Sequence, residues 1–551
     1  MEEANLYQIG RFDVSAIGSN AQLRLGDING DGRLEMVLLQ ADEVIDDAFL
    51  PHSLTAAIAY TLEGEVLWQI GKPNPGAPVS KTDIPAQIYD IDRDGMNEFI
   101  CVMDGFLCIY DGMTAELKRQ IELPAPYAHD CIVIADVEGK GYAQNLILKN
   151  RYHQLWVLDA NFNVLWTFKG NIGNVPVPYD LNGDGKDEII AGKVILNHEG
   201  EVIAELELPD HPQSIVVGDL AQTVENIPVI LCGGKETTAF DKEGKKLWSL
   251  SSSSITDCLT IGDFRKETQG NEISGFYSGE EGGVFLTDYH GNSLFKETRT
   301  GLLEKTSVQT IFNFDGTRQD MILLSGRQGA TAGIFDGYFN PLYVFPVDGK
   351  AYSADLLGDG IPEVLILHDG VVDIFAARPV DLGKACVPYS RPQTKRRYND
   401  TIFAIGARES APYAFSYATG CFAETELAVW AEQTALNPDM EMPISRGDFL
   451  VLAVEALELY AYDYDGFFDV SPKDYFYDAI STVKKLGYID EIVGRFAPKQ
   501  ATTAEFAISI LEQAGITPIM QKSGTDELTY QDAAKLILQI FTQKRNAQRE
   551  E

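Results

Sequence analysis

The sequence predicts a mainly β fold, an eight-bladed β-propeller with seven blades as the alternative, followed by a small all-α domain. Three observations carry that expectation. An acidic phrase recurs along most of the chain, a fixed order of short strands accompanies each copy, and the apolar period turns helical beyond about residue 410.

The fullest copies of the phrase are Asp27-Ile-Asn29-Gly-Asp31-Gly32-Arg-Leu-Glu35, Asp90-Ile-Asp92-Arg-Asp94-Gly95-Met-Asn-Glu98 and Asp180-Leu-Asn182-Gly-Asp184-Gly185-Lys-Asp-Glu188. Weaker copies begin at Asp136, Asp219, Asp263, Asn313 and Asp355. Successive starts lie 39–50 residues apart, except for 63 between the first two. A period of that size belongs to a propeller or solenoid array. In the third repeat the strands read Ile132-Val-Ile-Ala, Asn145-Leu-Ile-Leu, Gln154-Leu-Trp-Val-Leu and Val164-Leu-Trp-Thr-Phe. Four antiparallel strands make one blade. The last repeat lacks an obvious fourth strand, which the N-terminal Asn5-Leu-Tyr-Gln-Ile is expected to supply, closing the ring.

Each full loop offers oxygen ligands at positions one, three, five and nine, with Gly at six for a sharp turn. An EF-hand carries its last carboxylate at position twelve between two helices. Here Glu arrives at nine and an apolar β-rich run follows, as in Met36-Val-Leu-Leu and Phe99-Ile-Cys-Val. Crowding such groups into one turn favours a hard cation as counter-charge. The expected calcium ligands are Asp27, Asn29, Asp31 and Glu35; Asp90, Asp92, Asp94 and Glu98; and Asp180, Asn182, Asp184 and Glu188. Such ions are structural. The competing reading is a turn held by Asx hydrogen bonds alone. That reading suits the Asp136 copy, where Lys140 fills position five, and the Asp355 copy has Leu357 at position three. The loops resemble those of FG-GAP repeats.

At 551 residues the chain predicts more than one domain. The expected division is a propeller over 1–405 and a helical domain over 406–551, across a Pro-rich and then basic link from Arg378 to Arg397. Carboxylates outnumber Lys and Arg by 82 to 44, a net charge of −38, which excludes the basic footprint that nucleic acid requires. No apolar run reaches the ~20 residues of a membrane span. Seven scattered cysteines form no disulfide framework and read as buried free thiols. The start Met1-Glu-Glu-Ala-Asn5 has neither the basic region nor the apolar stretch of a signal peptide, which predicts a cytoplasmic protein. The alternative, after removal of an export segment, is the cell surface.

In the C-terminal part Phe449, Leu450, Leu452, Ala453 and Ala456 form one apolar helical face, and Ile480, Val483, Leu486 and Ile489 a second. The run Phe467-Phe468-Asp469-Val, Gly494-Arg-Phe496-Ala-Pro498 and Ala501-Thr-Thr503-Ala-Glu505 resembles the S-layer homology (SLH) family, over roughly residues 415–545. The positions resembling its closing motif are Ser445-Arg446-Gly-Asp448, Thr502-Thr503-Ala-Glu505 and Thr529-Tyr530-Gln-Asp532, of which only the first keeps the Arg. The resemblance implies binding of cell-wall polysaccharide, with Arg446 contributing. The bland reading is a helical appendage without ligand.

Trp68, Trp166 and Trp248 follow Leu at the same place in their repeats and read as packing between blades. The segment 127–180 differs from its sister repeats. Tyr127-Ala-His129-Asp130 and Lys149-Asn-Arg151-Tyr152-His153 flank one loop and gather titratable groups. Such a set suits β-elimination from a uronic acid. His129 is the expected base for the C5 proton, Arg151 neutralises the carboxylate, and Tyr152 protonates the leaving oxygen. The phrases Ala128-His129-Asp130-Cys, Lys149-Asn-Arg151-Tyr152 and Pro178-Tyr179-Asp180 resemble polysaccharide lyases of the propeller type that act on rhamnose- and uronate-containing polymers. The resemblance covers most of residues 20–400 and implies an acidic or rhamnose-containing glycan as partner. Lys149, His153, Asn174 and His211 are then expected to bind substrate. Asn174 and the stretch Thr256-Asp257-Cys258 stand where such lyases tend to carry histidines. The second hypothesis is accordingly a non-catalytic propeller that binds glycan or protein near the wall. No pair of carboxylates stands out from the loops to suggest a hydrolase.

Overall fold

A computed structural model describes residues 5–384, apart from 19, 31–32, 43–49, 78–82, 95, 141–142, 222–226, 252–253, 279–281, 299–306, 318, 327–331 and 358–360. It also describes residues 442–540, apart from 458, 460–466, 468, 472–473, 475, 490–494, 521, 534 and 538. The expected domain boundary at 405, the basic link from Lys395 onward, Cys386 and Cys421 lie outside the described residues.

The protein is a mainly β propeller. Among the described residues, six four-stranded antiparallel sheets stand alone, and two more four-stranded sets are joined into one sheet by a parallel bridge, Leu54↔Met103. The innermost strands of these units are Gln22–Gly26, Ala86–Tyr89, Ile132–Ala135, Val177–Tyr179, Ser214–Asp219, Ile255–Gly262, Ser307–Phe312 and Lys350–Ala354, numbered here one to eight. Inner strands of units one to seven neighbour one another in turn, and the second strand of unit seven, Asp320–Ser325, neighbours the inner strand of unit eight. Units one and eight share a core in which Leu23 and Leu25 meet Ala354 and Leu365. The strand Tyr7–Asp13 completes unit eight by pairing antiparallel with Val371–Ala376. Asp373 fixes that pairing, accepting from Gln8 Nε2 at 2.7 Å and from Arg11.

The inner and second strands are buried on both faces because their sheets pack against neighbours, whereas outer strands such as Leu117–Glu122 are largely exposed. Asn145–Lys149, for example, is buried at all its positions. Two devices tie the units together. Each outer-strand Trp donates its indole N–H to a turn carbonyl of the next unit: Trp68 to Gly112 at 2.7 Å, Trp166 to His198 at 2.9 Å and Trp248 to Tyr289 at 3.0 Å. Amides near the ends of the acidic loops reach back to the preceding loop, as Asn97 does to Asp27 O (2.8 Å) and Asn271 to Asp219 O (2.6 Å).

The C-terminal part has its own apolar core around Phe449, Ile480 and Ile510. It contains α1 (Arg446–Leu457), α2 (Tyr477–Lys485) and α3 (Ala504–Gln513). Three loops meet in a cycle of backbone bonds: Ile444 N–H to Leu528 O, Leu528 N–H to Thr502 O, and Thr502 N–H to Ile444 O, all at 2.8–2.9 Å. The three positions of the closing motif are thus brought together. No helix among the described residues is long and apolar enough to cross a membrane.

Candidate active site and cation loops

The acidic loops join an inner strand to the second strand of its unit. His129, Asp130, Asn174 and His211 precede inner strands, and Lys149 ends a second strand that Arg151 and Tyr152 follow. Antiparallel pairing therefore puts the loops at one end of the sheets and the polar cluster at the other.

At the loop end, the position-nine carboxylate closes the turn. Glu35 accepts the N–H of Ile28 at 2.9 Å, Glu98 that of Ile91 at 3.0 Å, Glu188 that of Leu181 at 2.9 Å and Glu363 that of Leu356 at 2.9 Å. Burial pushes Glu98 and Glu188 up to about 7, so an ionised carboxylate there demands a counter-charge. In the Asp27 and Asp180 loops the position-three amide faces the second oxygen, Asn29 Nδ2 at 3.2 Å from Glu35 Oε1 and Asn182 Nδ2 at 2.9 Å from Glu188 Oε1. Asp180 accepts three backbone N–H groups, from Gly183, Asp184 and Gly185, so Asx bonds hold this turn. Ligand atoms of Asp184, Glu188 and His198 lie within 4.8 Å of one another, as do those of Asp90, Asp92 and Asp94. His198 comes from a neighbouring strand turn and has no place in the nine-residue phrase, which is why the sequence pattern misses it. Asp31 lies outside the described residues.

At the opposite end, Asp130 is buried and accepts from two cations. Lys149 Nζ bonds its Oδ2, and Arg151 Nη1 stands 3.0 Å from its Oδ1. Lys149 is 0% exposed and also donates to Arg151 O at 2.6 Å. The residue expected to bind substrate is instead an internal counter-charge beneath the face. Arg151 is 7% exposed; its Nη2 donates to the Tyr152 hydroxyl at 2.9 Å and its plane covers the Tyr152 ring at 4.7 Å. The ring of His211 lies 5.0 Å from that of Tyr152. His211 Nδ1 is 3.0 Å from Asp210, which Lys235, first, and the His211 backbone N–H hold down at about 2. Asn174 donates to Gln213 Oε1 at 3.0 Å, and Gln213 in turn approaches His211. Lys149, Arg151, Tyr152, His211 and Asn174 thus form one chain of contacts, whereas His153 sits on an exposed turn.

His129 stands at the same end, its ring 6.2 Å from that of Tyr127. Its Nδ1 is buried and has no hydrogen-bond partner among the described residues. Burial, first, lowers its proton affinity and the nearby His52 adds to that, while Asp130 and Asp42 pull the other way. His52 is a residue the sequence pattern does not reveal. It precedes the strand Leu54–Tyr60 in unit one, is 2% exposed, and holds Asp42 Oδ1 at 2.6 Å through Nδ1. The long interval of 63 residues between the first two loops contains the connection that carries Asp42 and His52 to this face. In the C-terminal part, Arg446 packs over the Phe506 ring at 4.2 Å and donates to Phe496 O at 3.0 Å, so its guanidinium serves the aromatic core of that unit.

No protein-family profile matches the chain. In sequence it is 24% identical over 265 residues to the rhamnogalacturonan exolyase YesX of Bacillus subtilis, covering 37% of this chain and 43% of that protein. It is 26% identical over 259 residues to the rhamnogalacturonan endolyase YesW of the same organism, covering 36% and 41%. The chain therefore spans less than half the length of the curated relatives it matches. Among solved structures, the exotype rhamnogalacturonan lyase YesX superposes with a TM-score of 0.49 at 17% identity, over 72% of this chain and 79% of that one. In its sequence the propeller is rhamnogalacturonan lyase-like.

Proposed function

We propose that the face carrying His129, Arg151, Tyr152 and His211 binds an acidic, rhamnose- or uronate-containing polysaccharide and cleaves it by β-elimination. The observation that carries this reading is the pairing of a guanidinium and a phenol, Arg151 Nη2 to Tyr152 OH at 2.9 Å, on the face that also holds His129. In the reaction His129 takes the C5 proton, the electron pair forms the C4–C5 double bond, and the C4–O bond breaks. The leaving oxygen takes a proton from Tyr152, and Arg151 tempers the charge that builds on the uronate carboxylate. Burial lowers the proton affinity of His129, which keeps its imidazole unprotonated near neutral pH and so able to accept a proton.

The test is ultraviolet absorbance of the unsaturated uronate on rhamnogalacturonan and related polymers. Absorbance that appears with the protein and vanishes in His129→Ala, with unchanged circular dichroism, supports elimination. Glycan binding without absorbance supports the second reading, a non-catalytic propeller. The observation favouring that reading is that Arg151 is nearly buried and already engages Asp130.

For the Asp180 loop, the donors of Asp180, Asn182, Asp184 and Glu188 fit a hard divalent ion such as calcium, which would supply the counter-charge that the buried Glu188 needs. The same proposal holds for the Asp27 loop with Asp27, Asn29 and Glu35. A chelator is expected to lower the melting temperature, and calcium to restore it. The SLH-like part, whose three motif loops meet in one ring, is proposed to contact wall polysaccharide; pull-down on purified wall glycan tests it.

A further inference from the structure

Of the three full loops, the Asp90 loop is the most acidic, with Asp at position three where the other two carry Asn29 and Asn182. It is also the loop into which a lysine reaches. Lys118 Nζ lies 2.6 Å from Asp92 Oδ2, 3.1 Å from Asp94 Oδ2 and 2.7 Å from Glu98 Oε1. An ammonium has three N–H donors, and here each has its own carboxylate.

The origin of Lys118 makes it more than a chance surface contact. It is the second residue of the outer strand Leu117–Glu122, just after Leu117, which pairs with Tyr110. The equivalent place after the register shift in the other units is held by Leu67, Leu165, Ile203, Leu247, Leu294 and Leu342. Only unit two, among these, replaces the aliphatic residue with a cation. Loops with incomplete oxygen sets use the same device: Arg378 stands 3.3 Å from Glu363 in unit eight, and Lys140 stands 2.9 Å from Glu138 in unit three.

We infer that the Asp90 loop is a self-neutralised cation site: the tethered ammonium of Lys118 fills it, it takes no divalent ion in the wild-type protein, and Lys118→Leu opens it to one. A divalent ion among Asp90, Asp92 and Asp94 would sit beside a fixed positive charge and would have to share two of its three carboxylates with it. The donor set alone thus suggests a calcium site, but the charge around it does not. The inference rests on reading these loops as cation sites, yet it is judged on the Asp90 loop by itself.

The experiment counts bound Ca²⁺ per full-length chain by isothermal titration calorimetry and native mass spectrometry. Lys118→Leu is expected to bind one Ca²⁺ more than wild type, and adding Asp94→Ala is expected to remove that ion. Equal counts for wild type and Lys118→Leu overturn the inference. Should Lys118→Leu fail to fold, Asp94→Ala alone decides: an unchanged count supports the inference, and loss of one ion overturns it. A wild-type count of zero with one ion in Lys118→Leu supports it while ending the calcium reading of the Asp27 and Asp180 loops.

Discussion

Arg151 spans two environments: its Nη1 stands 3.0 Å from the buried Asp130 carboxylate, and its Nη2 donates 2.9 Å to the hydroxyl of Tyr152 at the face. One guanidinium is therefore oriented from below by a charge and bonded above to a phenol. Tyr152→Phe removes the upper contact without touching the lower. It is expected to keep the fold and glycan binding while reducing elimination by ~10²–10⁴-fold. Initial rates by ultraviolet absorbance, set against glycan affinity, check this.

The lower contact makes a stability prediction. Asp130→Ala leaves Lys149 and Arg151, both buried, without the carboxylate they share. Loss of a buried partner of this kind costs ~3–5 kcal/mol. Lys149→Met leaves Asp130 still bonded to Arg151 and is expected to cost less, about 1–3 kcal/mol. Urea unfolding of the two variants should show that order; the reverse order would mean that Arg151 does not support Asp130.

The propeller was legible because its signals are periodic. Acidic turns recur, strands alternate with them, and Trp68, Trp166 and Trp248 each follow Leu at the same point of their repeats. Charge placement was legible only in part. Lys149 reads from sequence as a substrate ligand, since nothing local says that its strand is buried on both faces. His52 lies 77 residues from His129 in the chain, and only the ring of units makes them neighbours. Lys118 becomes visible once the register aligns it with six aliphatic residues. Periodicity reveals the frame, whereas the pairing of charges depends on which ends of which strands meet.

The proposed role of His129 as base predicts a pH profile for elimination. Burial lowers its proton affinity below the ordinary imidazole range, so the acid limb of kcat/KM is expected below pH ~6.5. The same shift has a stability sign: below that pH the unfolded chain takes up a proton that the folded chain resists, so this group's contribution falls as pH drops. Asp42→Asn removes a carboxylate that raises the affinity of His129 and is expected to move the limb further toward acid. A limb at or above the ordinary value, or one unmoved in Asp42→Asn, contradicts the assignment.

Glu272 gives a pH dependence of the opposite sign. Its side chain is 0% exposed, and its Oε2 accepts the N–H groups of Phe264 at 2.7 Å and Arg265 at 3.2 Å. Burial pushes it from 4.5 up to about 7. The folded state therefore holds the proton more tightly than the unfolded state across that window. Stability falls as pH rises through it, and above it the folded protein carries an ionised carboxylate in a dry site. Glu272→Gln keeps an acceptor for both backbone groups and removes the titration. Glu98 and Glu188 are shifted in the same direction, so the wild-type slope alone does not isolate Glu272. The difference between the two proteins does: the melting temperature of Glu272→Gln relative to wild type is expected to rise between about pH 5 and about pH 8. Parallel curves across that range would place the ionisation of Glu272 below it, and with it the claim that burial governs this carboxylate.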